Sequence, residues 1–269
     1  MKKDLFILLL LFLLAGCNSN TEEATPVTGN NPGPEPGMKQ AIAQFPDSLL
    51  LRENLIQYYR ENNDYSMAIA TTDEALKRDS NNTRLWDIKA TLHFENEDTA
   101  TAIKAFEKAI GIFPDPQYLM SLGVLYAETK NNKALDIADA LLTDKKTGTQ
   151  KEGLFIKGLY FNYTGQPQKA IGFFDKCLEL NYSFMDAYRE KAVALYDLAK
   201  YEEALKVLEK ATTLQNAFDE GYYWMGRCYE KLQQKDNAVE SYKMAVQAAQ
   251  KNNDDNIDAR QALERLGVK

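Results

Sequence analysis

The sequence of 269 residues predicts an all-α chain, a solenoid of about six helix–turn–helix repeats that ends in a capping helix. Three observations support this prediction. Helical patterning with little proline runs from about Met38 onward. Small residues return at intervals close to 34 residues, and short polar turns separate the helical segments. An amphipathic segment with apolar residues on one side follows the last repeat.

The first 16 residues have the order of a secretory signal peptide. Lys2 and Lys3 are followed by an apolar run from 5 to 14, which is too short to span a bilayer permanently. The run ends in Leu14-Ala15-Gly16-Cys17, which resembles the lipobox of bacterial lipoproteins. The resemblance implies cleavage before Cys17 and lipidation of Cys17, with palmitate among the acyl chains. The alternative is an ordinary secretory signal that contains a cysteine by chance.

Residues 17–37 are predicted to be the lipidated cysteine and a disordered tether. This segment is rich in proline and glycine, including Pro26, Pro32, Pro34 and Pro36, and it has no apolar periodicity. Such a composition does not bury enough apolar surface to fold. The folded part is therefore predicted to begin at residue 38.

Six alanines mark the start of the second helix of each predicted repeat. They are Ala68, Ala102, Ala134, Ala170, Ala204 and Ala238, at intervals of 34, 32, 36, 34 and 34 residues. In a 34-residue frame with these alanines at position 20, position 8 is small in five of six repeats. Its occupants are Ile56, Ala90, Gly123, Gly158, Ala192 and Gly226. Small residues at both positions allow two helices to approach closely, and large residues at positions 11 and 24 fill the space beside them.

This pattern resembles the tetratricopeptide repeat family over residues 38–250. The second repeat shows it most fully, with Trp86 at position 4, Ala102 at position 20, Phe106 at position 24 and Pro114 at position 32. The resemblance implies a right-handed superhelix of repeats. Residues 251–269 are predicted to form the capping helix that covers the last apolar face.

Composition argues against several classes of activity. The formal net charge of −7 argues against binding to nucleic acid. His93 is the single histidine, and Cys177 and Cys228 fall at interior helix positions, where buried side chains are expected. No nucleophile and base occur in a catalytic pattern. We therefore expect no enzymatic activity, no cofactor and no metal site.

The family resemblance implies that first helices line a concave, partner-binding groove. The predicted apolar and aromatic lining consists of Phe94, Met120, Val124, Phe155, Leu159, Tyr196, Tyr223, Trp224 and Arg227. Such a lining favours a protein segment that carries apolar or aromatic side chains. The lysine, asparagine and arginine set with which chaperone-binding repeats clamp a C-terminal carboxylate is missing. Glu53 and Asp87 stand where that set requires other residues.

A lipid anchor, a tether and repeats together resemble envelope adaptor lipoproteins such as pilotins. The sequence therefore predicts a protein–protein interaction scaffold, held by its lipid at the periplasmic face of the outer membrane. Asn18 after the cysteine favours the outer membrane, and Glu22-Glu23 leave the cell surface as an alternative. A binding module for glycan or peptidoglycan fragments is the alternative function, and a homodimer stays open.

Overall fold

The computed structural model describes residues 33–144 and 148–268, and within these ranges the chain forms helices and no strand. The helices are α1 (Pro34–Gln44), α2 (Leu49–Glu61), α3 (Tyr65–Arg78), α4 (Thr83–Glu95), α5 (Thr99–Ile112), α6 (Pro116–Glu128), α7 (Lys133–Thr143), α8 (Gln150–Tyr163), α9 (Pro167–Leu180), α10 (Met185–Asp197), α11 (Tyr201–Leu214), α12 (Asp219–Lys231), α13 (Lys235–Lys251) and α14 (Ile257–Arg265). The predicted all-α class is confirmed. The signal peptide and Cys17 lie outside the described residues. Among the helices that are described, none combines the length and the apolar character that crossing a bilayer requires.

Six helical hairpins follow one another from α2–α3 to α12–α13, and each has a first and a second helix. The alanine that opens each second helix has no exposed surface in any of the six hairpins. The predicted repeats and their frame are therefore confirmed. Close packing at position 20 leaves no room for a larger side chain, which explains why alanine recurs there.

The turn inside each hairpin has a fixed backbone geometry. One residue per turn has a positive φ between 56° and 77°, namely Asn63, Glu97, Lys130, Gly165, Ala199 and Gln233. The next residue donates its backbone N–H to the carbonyl five residues earlier, as Asp64 does to Tyr59 at 2.8 Å. This is the Schellman pattern that ends a helix in a left-handed residue. Five of the six residues are not glycine, so the hairpin geometry overrides the ordinary steric preference.

The chain divides into two compact units. Unit 1 contains α1 to α5, and unit 2 begins at Phe113 and contains α6 to α14. The core of unit 1 is formed by Leu55, Ile56 and Tyr59 of α2 together with residues of the next helices. Met38 and Ile42 of α1 pack against this core.

Helix α1 begins at Pro34, so the prediction of a tether up to residue 37 is wrong for its last four residues. Proline is tolerated in the first turn of a helix because its missing N–H has no intrahelical partner there. Glu35 lies in the same turn and accepts a hydrogen bond from the hydroxyl of Tyr59 at 2.7 Å. This bond joins the start of α1 to α2 in unit 1.

In two hairpins of unit 2, glycine at position 8 makes room for the aromatic ring at position 24 of the same hairpin. A Cβ on Gly158 would lie 2.4 Å from a ring carbon of Phe174, and one on Gly226 would lie 2.6 Å from Tyr242. Helix α14 covers the end of the unit, where Ala259 and Ala262 pack against the cluster around Tyr242. The buried ring of Tyr242 thus joins α13 to the capping helix α14.

Candidate functional site

The first helices of unit 2 form one continuous row. Helices α6, α8, α10 and α12 pack side by side, and successive first helices approach each other more closely than successive second helices do. The row of first helices therefore lies on the inner side of the curve of this unit. We call this side of unit 2 the inner face. Its half-buried side chains are Glu128, Tyr163, Tyr196, Tyr223 and Arg227, and the same helices also contribute the buried residues Arg189, Glu190 and Trp224.

Four of the predicted groove residues are part of the core of unit 2. Val124, Phe155, Leu159 and Trp224 are exposed by only 1%, 1%, 2% and 4%. The ring of Phe155, for example, packs against Phe184 at a centroid distance of 5.0 Å. The prediction that these four residues line an accessible apolar groove is wrong, because neighbouring helices approach closely enough to enclose them.

The remaining predicted groove residues are half-buried. Met120, Tyr196, Tyr223 and Arg227 belong to unit 2, and Phe94 belongs to unit 1. Their side chains retain access to the surface, so their role in binding stays a prediction. The accessible part of the inner face is consequently aromatic and charged rather than apolar.

A buried ion-pair network centres on Arg189 of α10, which is only 5% exposed. Its Nε donates to Glu190 at 3.0 Å, and its Nη1 donates to Glu220 at 2.6 Å and lies 3.0 Å from Asp186. Burial opposes the charge on Arg189, but the three carboxylates outweigh it and hold the pKa of Arg189 above its ordinary value. The guanidinium is therefore balanced by three carboxylates within unit 2.

Glu128 of α6 and Tyr163 of α8 lie within electrostatic range of this network. Burial, reinforced by the charge of Glu190, raises the pKa of Glu128 to about 7, while Arg189 acts in the opposite direction. Burial also raises the pKa of Tyr163 well above its ordinary value, with Glu190 and Glu128 adding to the effect. Glu128 is therefore partly protonated near neutral pH.

A second arrangement surrounds Arg227 of α12. Its guanidinium carbon lies 4.7 Å from the ring centroid of Trp224, 5.1 Å from that of Tyr196 and 5.9 Å from that of Tyr223. The rings of Tyr196 and Trp224 are themselves in an edge contact at 5.4 Å. We call these four residues the Arg227 cluster. Its cation is held by aromatic rings on two first helices, α10 and α12.

The acid beside this cluster is used by the capping helix. Glu230 of α12 accepts hydrogen bonds from Arg265 of α14 at 2.7 and 2.8 Å, and one from the hydroxyl of Tyr242 at 2.5 Å. The bonds from Arg265 keep the pKa of Glu230 below its usual value. Glu230 therefore stays ionised and holds α14 on unit 2.

The described residues hold no group of side chains with the composition of a metal site. Cys177 and Cys228 are both buried, as predicted, and burial raises the pKa of each thiol to about 12. At neutral pH these thiols are protonated and have little nucleophilic character. What the inner face offers chemically is contact through rings, carboxylates and guanidinium groups.

The sequence did not reveal the buried network around Arg189. Neither Glu190 nor Arg189 is among the residues predicted for the apolar and aromatic lining of the groove. The available signal was the placement of Asp186 and Glu220 at position 2 of successive repeats, beside an arginine at position 5. Acids one repeat apart on neighbouring first helices are close enough to share one guanidinium.

Comparisons with known sequence families agree with the repeat architecture. Residues 89–145 match the family model described as tetratricopeptide repeat, and residues 187–267 match the one described as regulator of microtubule dynamics protein 1-3. Residues 1–18 match the model of the prokaryotic membrane lipoprotein lipid attachment site.

Two curated relatives from Methanocaldococcus jannaschii are described as TPR repeat-containing proteins. One is 30% identical over 119 residues, which are 44% of this chain and 35% of the relative. The other is 24% identical over 197 residues, which are 69% of this chain and 34% of the relative. The chain thus spans about a third of the length of either relative.

Solved structures share the fold. A tetratricopeptide repeat protein from Parabacteroides merdae has a TM-score of 0.70 at 20% identity, over 86% of this chain and 90% of that one. PilW, described as a widely conserved type IV pilus biogenesis factor, has a TM-score of 0.57 at 20% identity, over 72% of this chain and 90% of that one. With its six hairpins among the described residues and these matches, the chain has the fold of tetratricopeptide-repeat proteins, and its N-terminus matches a prokaryotic lipoprotein attachment site.

Proposed function

We propose that this chain is a lipid-anchored scaffold of the bacterial envelope that binds a segment of a partner protein on the inner face of unit 2. Cys17 carries the lipid, and the repeats stand at the periplasmic face of the outer membrane. The likeness to PilW supports an adaptor of an envelope assembly at the level of architecture only. The cell surface is the alternative location.

The accessible side chains of the inner face carry this proposal. Tyr163, Tyr196 and Tyr223 are half-buried aromatic residues on three successive first helices, with Glu128 and Arg227 beside them. Tyrosine and arginine are the residue types that contribute most to protein interfaces, because they supply large contact areas and directed hydrogen bonds. A row of them along stacked helices suits an elongated protein segment.

Photo-crosslinking in living cells tests the proposal. A photoreactive phenylalanine analogue replaces Tyr163 or Tyr223 on the inner face, and Lys206 on the second helix α11 serves as the exposed control. We expect the two inner-face positions to capture the same protein and the Lys206 position to capture none of it. Adding Tyr196→Ala to the Tyr223 probe should reduce the yield. Equal capture from Lys206 contradicts binding at the inner face.

The anchor is tested separately by feeding cells an alkyne fatty acid. We expect the wild-type chain to incorporate the label and Cys17→Ser to incorporate none. Protease treatment of intact cells then separates a periplasmic chain, which stays protected, from a surface-exposed one. A labelled Cys17→Ser chain would show that another residue is acylated.

Binding of peptidoglycan or another glycan is the second candidate function. It is favoured by Tyr163 and Glu128, because a sugar site combines an aromatic face with polar groups beside it. Sedimentation of the full chain with purified peptidoglycan tests this candidate, with Tyr163→Ala as the binding-deficient variant. Cosedimentation that Tyr163→Ala abolishes, without any protein crosslink, would replace the leading proposal.

A further inference from the structure

The partners of the arginines distinguish one residue from the others. All eight arginines of the chain are among the described residues, and six of them lie within ion-pairing distance of a carboxylate. These six are Arg60, Arg78, Arg84, Arg189, Arg260 and Arg265. Arg52 donates instead to the backbone carbonyl of Pro46 at 2.7 Å. Arg227 is the one left, and within residues 33–144 and 148–268 no carboxylate forms an ion pair with it.

The aromatic rings around Arg227 do not replace a carboxylate. They attract the cation and cover part of its surface, and the hydroxyl of Tyr196 adds a hydrogen bond. Neither a ring nor a neutral hydroxyl, however, supplies the negative charge that a carboxylate brings. Burial opposes the charge, while Tyr223 and Tyr196 favour it and keep the pKa of Arg227 above its ordinary value. The half-buried guanidinium therefore stays charged, in surroundings that raise the strength of any further ion pair.

The charges nearby favour a single negative charge in this place. Lys231, one helical turn after Arg227, lies 5.9 Å from the ring centroid of Tyr196 and adds a second cation. Glu230 is occupied by Arg265 and Tyr242. Asp197 is within electrostatic range of Arg227 but forms no ion pair with it, and burial raises the pKa of this carboxyl. Two cations thus lie beside the ring of Tyr196, and the carboxylate of Asp197 forms no ion pair with Arg227.

We infer that the Arg227 cluster is a subsite for a carboxylate group of the bound partner segment, seated beside an aromatic or apolar side chain of that segment. The inference rests on the proposed binding of a protein segment at the inner face. The planar guanidinium can donate two parallel hydrogen bonds to one carboxylate, which lysine cannot do. This geometry explains why arginine rather than lysine suits this position. The half-buried rings of Tyr196 and Tyr223 provide the adjoining apolar contact.

This subsite differs from the carboxylate clamp that the sequence excludes. That clamp uses first helices of consecutive repeats at the start of a groove, where this chain has Glu53 and Asp87. The Arg227 cluster instead lies on the last two first helices of unit 2. The carboxylate is supplied either by an aspartate or glutamate side chain or by the C-terminus of the segment.

Selection from a random peptide library displayed on phage tests the inference. The baits are the full chain in detergent, its Arg227→Gln variant and its Arg260→Gln variant. Arg260 is an exposed arginine of α14, so its replacement makes the same change in net charge away from the inner face. We expect the wild type and Arg260→Gln to enrich peptides in which an acidic residue adjoins an aromatic one. Arg227→Gln should lose that enrichment.

The selected peptides are then synthesised and measured on the wild-type chain. If an acidic side chain supplies the carboxylate, replacing it by its amide should weaken binding at least about tenfold. If the C-terminus supplies it, amidating the C-terminus should have that effect. This comparison changes only the peptide and does not depend on how a variant folds. Arg227→Lys, which keeps the charge, should restore only part of the affinity.

The outcomes separate this inference from the proposed function. Selected peptides that bind the inner face without acidic residues, or equally well after Arg227→Gln, overturn the subsite and leave protein binding intact. If Tyr163 and Tyr223 capture no common protein, the proposed function fails and the subsite with it. If they capture one but no selected peptide competes with the crosslink at Tyr223, the subsite alone fails. Acidic, aromatic peptides that depend on Arg227 support both.

Discussion

Two arginines on neighbouring first helices of unit 2 have opposite surroundings. Arg189 of α10 is 5% exposed and is surrounded by Asp186, Glu190 and Glu220. Arg227 of α12 is half-buried, lies against aromatic rings and forms no ion pair with a carboxylate among the described residues. Both belong to the same inner face, yet their charges are balanced in different ways.

The difference separates structure from function. A buried cation that is balanced by carboxylates contributes to one fixed packing arrangement, and its burial keeps it from contact with a ligand. A half-buried cation among rings is stable enough to remain charged, and its N–H donors gain most when an anion arrives. The repeat scaffold thus uses one arginine to join α10 to α12 and presents the other.

The largest effect is expected from Arg189→Met. The replacement leaves Glu190 buried without its partner, and removing one member of a buried ion pair costs about 3–5 kcal/mol. Urea unfolding in a Trp86→Phe background measures this, because Trp224 then reports on unit 2 alone. The double variant Arg189→Met/Glu190→Gln should recover part of the loss. A loss below about 1 kcal/mol would contradict the structural role of the network.

Glu128→Gln tests the acidic end of the same inner face. The pKa of Glu128 rises from 4.5 to about 7 on folding, so between these values the folded chain holds a proton that the unfolded chain releases. The stabilisation by this proton is fully present below pH 4.5, and it is lost as the pH rises from there through about 7. The Gln variant should therefore be more stable than the wild type at pH 8 by about 2 kcal/mol.

The same unfolding measurement at pH 4.5 provides the control for Glu128. The wild-type side chain is by then protonated in the folded state, so it resembles glutamine, and the two chains should differ little. An equal difference at both pH values would show that the substitution acts through packing. In that case the charge of Glu128 would not be the cause of the difference in stability.

The sequence predicted the repeats well because their signal is local and periodic. Ala68 and its five equivalents determine the frame, and each is fully buried as expected. The start of α1 was missed because the prolines at 34 and 36 are typical of a linker, although the first helical turn tolerates them. Ala199 has a φ of 56°, a conformation that is uncommon for alanine, so residue type alone does not predict the geometry of this turn.

For the candidate site, the repeat frame predicted which side of each helix a residue occupies but not how close the next helix lies. The frame assigns Phe155 and Leu159 to the correct helix, but in the structure neighbouring helices enclose both side chains. Tyr196 and Arg227 kept access to the surface. The distance between first helices depends on non-local packing, so no reading of a single repeat provides it.

Gly226→Ala disturbs the support of Arg227 without changing a charged or aromatic side chain. The new Cβ would lie 2.6 Å from a ring carbon of Tyr242, and overpacking of this kind costs about 1–3 kcal/mol. Gly172 of α9 has open space around it, so Gly172→Ala should instead stabilise the chain by about 0.5–1 kcal/mol. Urea unfolding of both variants checks the contrast, and a neutral Gly226→Ala would show that α12 and α13 separate easily.

The smallest effect is expected from Arg227→Met, which sharpens the comparison most directly. Its cation–ring contacts are partly exposed to solvent and contribute about 0.5–1 kcal/mol, while the methionine side chain still covers the rings. The loss of stability should therefore stay below about 1 kcal/mol, several times smaller than for Arg189→Met under the same conditions. If the two losses were equal, Arg227 would be a structural residue like Arg189. The inner face would then present no arginine to a partner, whatever peptides the scaffold binds.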